Sequence, residues 1–270
     1  RFDYRRALIV CPKVLCSKWE AELSGKFGLD ARVLSAAELL ALLRDRDRWS
    51  RGFVAVCSLQ GLKPPARWED ETDPMFGRAS AELARFMRDR ADDEPVFDML
   101  VVDEAHHLRN PDTQSNLLGR LLRPLAQHHV FLSATPIHLK SRDLFSLLAL
   151  IDPETFRHPT ALDEILDANR PLIEAREAAL RGRPSSEIRA LVSEAARHRL
   201  LAGTQQIATL LSDLDRLPDP IPLAERARLA GRLEGANLLA NTVTRTRRRD
   251  VEALRVVRRV SSHRAEMSTL

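Results

Sequence analysis

The chain has 270 residues, of which 44% are hydrophobic, 5% aromatic and 30% charged, and its formal charge is only +4. That is enough apolar material for one large α/β domain, or for one such domain with a smaller helical companion. No apolar stretch approaches the roughly 18 residues of a membrane span, no charged-then-apolar start suggests secretion, and Cys11, Cys16 and Cys57 have no paired spacing. A soluble, cytoplasmic protein with buried, reduced thiols and no membrane partner is expected.

The first half alternates short β-rich runs with amphipathic stretches, which predicts a parallel sheet with helices on both faces. Strands are expected at Ala7–Cys11, Arg32–Leu34, Phe53–Cys57, Met99–Val102 and Val130–Leu132. Trp19, Leu23 and Phe27 recur at i, i+4 and i+8, marking the core face of a helix that ends near Gly28. Leu83, Phe86 and Met87 mark a second helix, and Leu117, Leu118, Leu121 and Leu122 a third. Each stripe is read as core, not as a ligand surface. Residues 61–79, with Pro64, Pro65, Pro74 and Gly77, read as an irregular surface loop without chemistry.

After Asp152-Pro153 the pattern turns helical. Thr160 to Asp163 has the form of a capping box, with Leu162, Ile165, Leu166 and Ile173 at helical spacing. Beyond a break at Gly182–Pro184, a second helix carries Ile188, Leu191, Val192 and Ala195. It is predicted to run on through Ile207, Leu210, Leu211 and Leu214, until the Pro218–Pro222 run stops it. A shorter helix covers about Ala224–Leu239, so residues 153–240 read as an all-helical insertion. From Val243 to Leu270 eight arginines face Asp250, Glu252 and Glu266, leaving the rest of the chain slightly acidic. This tail is open to two readings, a polyanion-binding segment or a solvated helical end.

The chemistry is concentrated in FDMLVVDEAHHLRN and in VFLSATPIH, which follows after one helix-length segment. Asp103 and Glu104 come directly after Met-Leu-Val-Val, a run too apolar to be exposed, so they are expected where a buried strand emerges. In open α/β sheets ligands bind beyond those strand ends. Mg²⁺ takes one or two protein carboxylates plus waters and phosphate oxygens, which suits Asp103. A neighbouring carboxylate that orients and deprotonates the attacking water suits Glu104. Ser133 and Thr135 end the next apolar strand, where their hydroxyls would bond His106 or the carboxylates and sense the nucleotide; the alternative is a strand-end turn with capping hydroxyls. His106 and His107 lack a partner at ligand spacing and make a poor metal site. No GxxxxGK[ST] phosphate loop occurs in the 270 residues. The chain starts at Arg1, directly before a strand-like run, and reads as an excised piece that would be inactive alone.

VVDEAHHLRN, LSATPIHLKSRDLFSLLALIDPETF and LIVCPKVLCSKWEAEL together resemble the superfamily 2 helicases, and within them the Snf2 family of DNA translocases. The likeness includes a bacterial branch typified by an RNA-polymerase-associated recycling factor. Thr244–Val251 resembles the family's return into the first lobe after a helical protrusion, whereas His138-Leu139 stands where the family often has Gln-Asn. The resemblance implies a RecA-like first lobe over residues 1–152, a helical protrusion over 153–240, and a return segment with basic tail over 241–270. It implies ATP and Mg²⁺ as ligands, Asp103, Glu104 and His106 in motif II, and Ser133 and Thr135 in motif III. Nucleic-acid contacts are implied at Pro12 and Lys13 of motif Ia and at Ser58 and Gln60 of motif Ib, with double-stranded DNA as the partner. A protein partner such as RNA polymerase or a defence complex is also implied. Two other readings stay open: a non-catalytic nucleic-acid- or protein-binding module on the same lobe, and the motor subunit of a restriction or phage-defence system.

Overall fold

A computed structural model describes residues 4–45, 47, 51–133 and 141–243. Five strands form one parallel sheet: β1 Arg6–Cys11, β2 Ala31–Leu34, β3 Phe53–Ser58, β4 Phe97–Val102 and β5 Ala126–Phe131, in the order β2-β3-β1-β4-β5. Each expected strand is present, and β5 starts four residues earlier than its apolar run, because Gln127, His128 and His129 are polar and mask its beginning.

The period-two alternation of a strand divides β1 between two cores. Leu8 and Val10 join Ala55, Cys57, Leu100 and Val102 on one face, whereas Ile9 and Cys11 join Val56 on the other. The first face is covered by α2 (Ala36–Arg44), α3 (Ala79–Asp89), α4 (Gln114–Leu122) and α5 (Ser141–Ile151), which contribute Leu39, Leu83, Met87, Leu118 and Leu147. The second is covered by α1 (Cys16–Phe27), through Trp19 and Leu23. A parallel sheet needs this double cover because neither face can be left to water.

Local signals set the helix ends. Ser35 and Glu38 form a reciprocal capping box at the start of α2. Gly28 ends α1 with φ +65°, a left-handed conformation that glycine enters without a Cβ penalty. Phe27, expected on the core face, is 70% exposed, so the apolar stripe of α1 ends one turn early. The 61–79 segment is irregular, as expected, but it is pinned to the core by buried Trp68, and Arg85 donates to the Trp68 and Phe76 carbonyls.

At the opposite edge from the strand C-termini, Asp98 is only 8% exposed. It accepts from the backbone N–H groups of Arg5 and Arg6, each at 2.8 Å, and from the Arg6 guanidinium at 2.5 and 3.0 Å. Burial pushes this carboxyl up, but the Arg6 guanidinium and the two backbone donors outweigh it and hold it below the usual carboxylate range.

The described residues fall into two compact units, divided between Asp163 and Glu164. The second unit is helical. Most of α6 (Pro159–Arg181) lies in it, together with α7 (Ser185–Ala195), α8 (Gln205–Leu214) and α9 (Leu223–Gly235), and its core includes Leu172, Ile188, Val192, Ile207, Leu210 and Leu229. Three expectations are corrected here. Helix α6 begins at Pro159, so Thr160 lies inside it and does not cap it. The helix expected to run from Ile188 to Leu214 is two helices, interrupted by turns that include Gly203 at φ +72°. Helix α9 ends at Gly235 rather than Leu239. Thr135, His138-Leu139 and the Thr244–Leu270 segment lie outside the described residues.

Candidate functional site

The C-terminal ends of the strands gather the candidate residues along one edge of the sheet. Strand β4 delivers Asp103, whose backbone N–H donates to the Val10 carbonyl at 2.8 Å and so prolongs the pairing with β1. Both carboxylate oxygens of Asp103 are held: Oδ2 accepts from the Trp19 indole Nε1 and Oδ1 from the Glu104 backbone N–H, each at 2.9 Å.

At Glu104 the chain turns through φ +51°, ψ +45°, and it is the only non-glycine residue at positive φ among the described residues. Such a conformation costs an L-residue about 1 kcal/mol, and residues held in it concentrate at functional sites. Two bonds impose it. One is the Asp103 carboxylate; the other runs from the Ala105 N–H to the Leu132 carbonyl at 2.8 Å. The turn releases the chain into a 3-10 helix, Ala105–Leu108, propped from beneath by the Asn116 side chain, which donates to the Leu108 carbonyl at 2.8 Å.

Glu104 Oε2 approaches His106 Nδ1 to 3.0 Å without hydrogen-bond alignment. Both atoms are shielded from solvent and have no hydrogen-bond partner among the described residues. The two side chains thus meet across the turn, Glu104 from the end of β4 and His106 from the 3-10 helix. Leu132, at the end of β5, donates its N–H to Val102 and accepts from Ala105, which sets half-buried Ser133 beside the acidic turn. Thr135, among residues 134–140, lies outside the described residues.

The β1 and β3 ends build a second group. Register pairs Cys11 with Ser58, and β1 separates β3 from β4. Pro12 accepts from the Leu15 N–H at 2.8 Å, closing a 3-10 turn over Lys13–Leu15. The backbone N–H of exposed Lys13 donates to Gln60 Oε1 at 3.0 Å, which joins the two loops expected to meet nucleic acid. Ser58 is placed differently: its Oγ caps the single helical turn Leu59–Leu62 by accepting from the Gly61 N–H at 3.0 Å. A Cβ on Gly61 would sit 2.7 Å from that oxygen, so glycine is what lets the hydroxyl approach. Trp19 was not singled out by sequence as a site residue. Its signal was an indole N–H in an apolar stripe, a group that needs a polar partner once the ring is buried.

A parallel sheet with a strand-end acidic pair, a neighbouring strand-end hydroxyl and helices on both faces is the layout of a RecA-like lobe. Comparison with known proteins gives the family: the chain belongs to the SNF2-related domain family, which it matches over residues 3–205. It is similar to the RNA polymerase-associated protein RapA of Pasteurella multocida, at 33% identity over 194 residues, covering 68% of this chain and 18% of that protein. RapA of Sodalis glossinidius is 30% identical over 156 residues, covering 56% of this chain and 14% of that protein. The chain thus spans less than a fifth of the length of these curated relatives. Among solved structures, the Sulfolobus solfataricus SWI2/SNF2 ATPase core in complex with dsDNA aligns at 13% identity and a TM-score of 0.37, covering 78% of this chain and 53% of that one.

Proposed function

We propose that this chain is the first-lobe part of an ATP-dependent, double-stranded-DNA-translocating ATPase that remodels protein–nucleic-acid complexes. Residues 1–152 act as the RecA-like lobe, 153–240 as a helical protrusion and 241–270 as a return segment with a basic tail. The observation that carries the reading is the seating of Asp103 and Glu104 at the end of buried β4, with β5 locked alongside by the Ala105–Leu132 bond.

In this reading Glu104 accepts a proton from the attacking water. His106, 3.0 Å from that oxygen, and Ser133, on the neighbouring strand end, register the state of the nucleotide, together with Thr135. Asp103 is the residue for Mg²⁺, and the donor chemistry fits: a carboxylate has about four lone-pair sites, and each Asp103 oxygen accepts one described hydrogen bond. Magnesium bound there would offset phosphate charge as it develops during hydrolysis. Lys13 and Gln60, tied to each other, face the nucleic-acid backbone with Pro12, and Ser58 caps the helical turn that carries Gln60.

The relatives' name, RNA polymerase-associated protein, supports RNA polymerase as the remodelled partner and a cytoplasmic setting. Among the described residues no helix is long and apolar enough to cross a membrane. The deciding experiment is ATP turnover by the whole protein, with and without duplex DNA, RNA and single strands. Duplex-stimulated turnover is the expected result, with none measurable from the 270-residue chain alone. Duplex binding without turnover would instead favour a non-catalytic binding module.

A further inference from the structure

Helix α1 starts where the Lys13–Leu15 turn ends, and its second turn reaches the acidic pair through Trp19. The indole Nε1 donates to Asp103 Oδ2 at 2.9 Å across 84 residues of sequence. The opposite oxygen is held by the Glu104 N–H, also at 2.9 Å, so both oxygens of the carboxylate are fixed in place. The indole is itself held, because its ring packs against the cluster of Ile9, Cys11, Cys16 and Val56 on that face of the sheet.

We infer that Trp19 is a positioning residue for Asp103, setting the orientation of that carboxylate and through it the affinity for the divalent cation. The inference rests on the proposed reading in which Asp103 meets Mg²⁺. Partners that hold a metal-binding carboxylate from behind typically set 10–100-fold of metal affinity. A neutral donor suits this task, since it orients the carboxylate without competing for its charge as an arginine or lysine would. Phenylalanine at position 19 keeps the aromatic packing and removes only the donor, so Trp19→Phe isolates the hydrogen bond.

The test uses the whole protein and reads equilibrium binding of a fluorescent ADP analogue as Mg²⁺ is titrated. Trp19→Phe is expected to raise the Mg²⁺ half-saturation about 10-fold, with nucleotide affinity at saturating Mg²⁺, duplex affinity and melting temperature unchanged. Asp103→Asn serves as the control and is expected to abolish the Mg²⁺ dependence. If Asp103→Asn abolishes it and Trp19→Phe leaves it unmoved, this inference falls and the site reading stands. If Asp103→Asn itself has no effect, the site reading falls. A second measurement has an overturning outcome that does not depend on the variant folding: in protein labelled with 5-fluorotryptophan, Mn²⁺ with ADP should broaden a fluorine resonance through paramagnetic relaxation. The broadened resonance should be the one missing from Trp19→Phe. No broadened resonance in the unmodified protein would overturn the inference even if the variant failed to fold.

Discussion

The backbone N–H of Ala105 donates to the carbonyl of Leu132 at 2.8 Å, one residue beyond Glu104 on one side and one residue before Ser133 on the other. With the bond from the Leu132 N–H to the Val102 carbonyl it extends the β4–β5 pairing, and with the Asp103 carboxylate it holds the left-handed turn at Glu104. It also sets the acidic pair and Ser133 at adjacent strand ends, since β4 and β5 are direct neighbours in the sheet.

Replacing Glu104 by glutamine keeps the size of the side chain and its φ, and removes the capacity to take a proton. General-base catalysis contributes about 10²–10⁴-fold, so Glu104→Gln in the whole protein is expected to lower duplex-stimulated ATP turnover at least about 100-fold. Nucleotide affinity should be spared. Turnover assays alongside equilibrium nucleotide binding check this, and unchanged turnover would remove Glu104 from the role of base.

The Lys13–Gln60 hydrogen bond separates two kinds of contribution at the loops proposed to meet nucleic acid. Lys13→Ala removes a charge, so it should weaken duplex binding alike for all sequences and reduce the salt-dependence slope by about 1. Gln60→Ala removes only the acceptor for an exposed N–H, a loss of at most about 1 kcal/mol, or about five-fold in affinity, with the slope unchanged. Ser58→Ala deletes the cap on Gly61 and should appear chiefly as about 1 kcal/mol of stability. Fluorescence anisotropy with a labelled duplex over a salt series distinguishes the three.

How much of this was legible beforehand depended on the range of the interaction. The strands were readable because a sheet buried on both faces demands apolar runs, and Leu8-Ile9-Val10 and Met99–Val102 are such runs. The polar half of β5 was not readable, because Gln127, His128 and His129 look like loop until pairing with β4 is known. Helix α2 carried a clear signal in Ser35 and Glu38 with Leu39, Leu40, Leu42 and Leu43 behind them, and the sequence reading passed over it. The continuous Ile188–Leu214 helix failed for a different reason: the two helices repeat one apolar spacing, but at different phases, and Gly203 at φ +72° lies between them. The strand-end position of Asp103 and Glu104 was legible from the apolar run before them. Trp19 was assigned to the core alone because a hydrogen bond spanning 84 residues leaves no local trace.

Asp98 links stability to pH at the other edge of the sheet. Its pKa lies below that of an unfolded aspartate because the Arg6 guanidinium and two backbone N–H groups overcome the burial that would raise it. The stabilisation is therefore complete above the unfolded carboxylate range near pH 4 and is lost as pH falls through the lower, folded value. Asp98→Asn leaves the Arg6 guanidinium, its side chain only 23% exposed, without its anion and should cost about 2–3 kcal/mol. Urea melts of the 270-residue chain at pH 7 and at about pH 2.5, below the unfolded carboxylate range, should show the difference between variant and parent shrinking as pH falls. An equal difference at both values would show that Asp98 is not ionised in the folded chain.

The thiols at the centre of the sheet titrate in the opposite sense. Burial pushes Cys57 up to about 12, and Cys11 is raised too, first by burial and then by the Cys16 thiol 3.6 Å from its own sulfur. In the folded chain both stay neutral at pH 8, and since the thiolate is the reactive form, alkylation of Cys11 and Cys57 should proceed only as fast as the sheet opens. The same shift makes the fold sensitive to alkali. Once pH rises past the unfolded thiol value of about 8.5, the unfolded chain loses protons that the folded chain keeps. Stability then falls by up to about 1.4 kcal/mol per pH unit for each thiol. Urea melts at pH 8 and pH 10 measure this, with Cys57→Ala expected to show a shallower decline than the parent. Rapid stoichiometric alkylation of native Cys57 at pH 8 would show that β3 is open to solvent and remove the basis for both expectations.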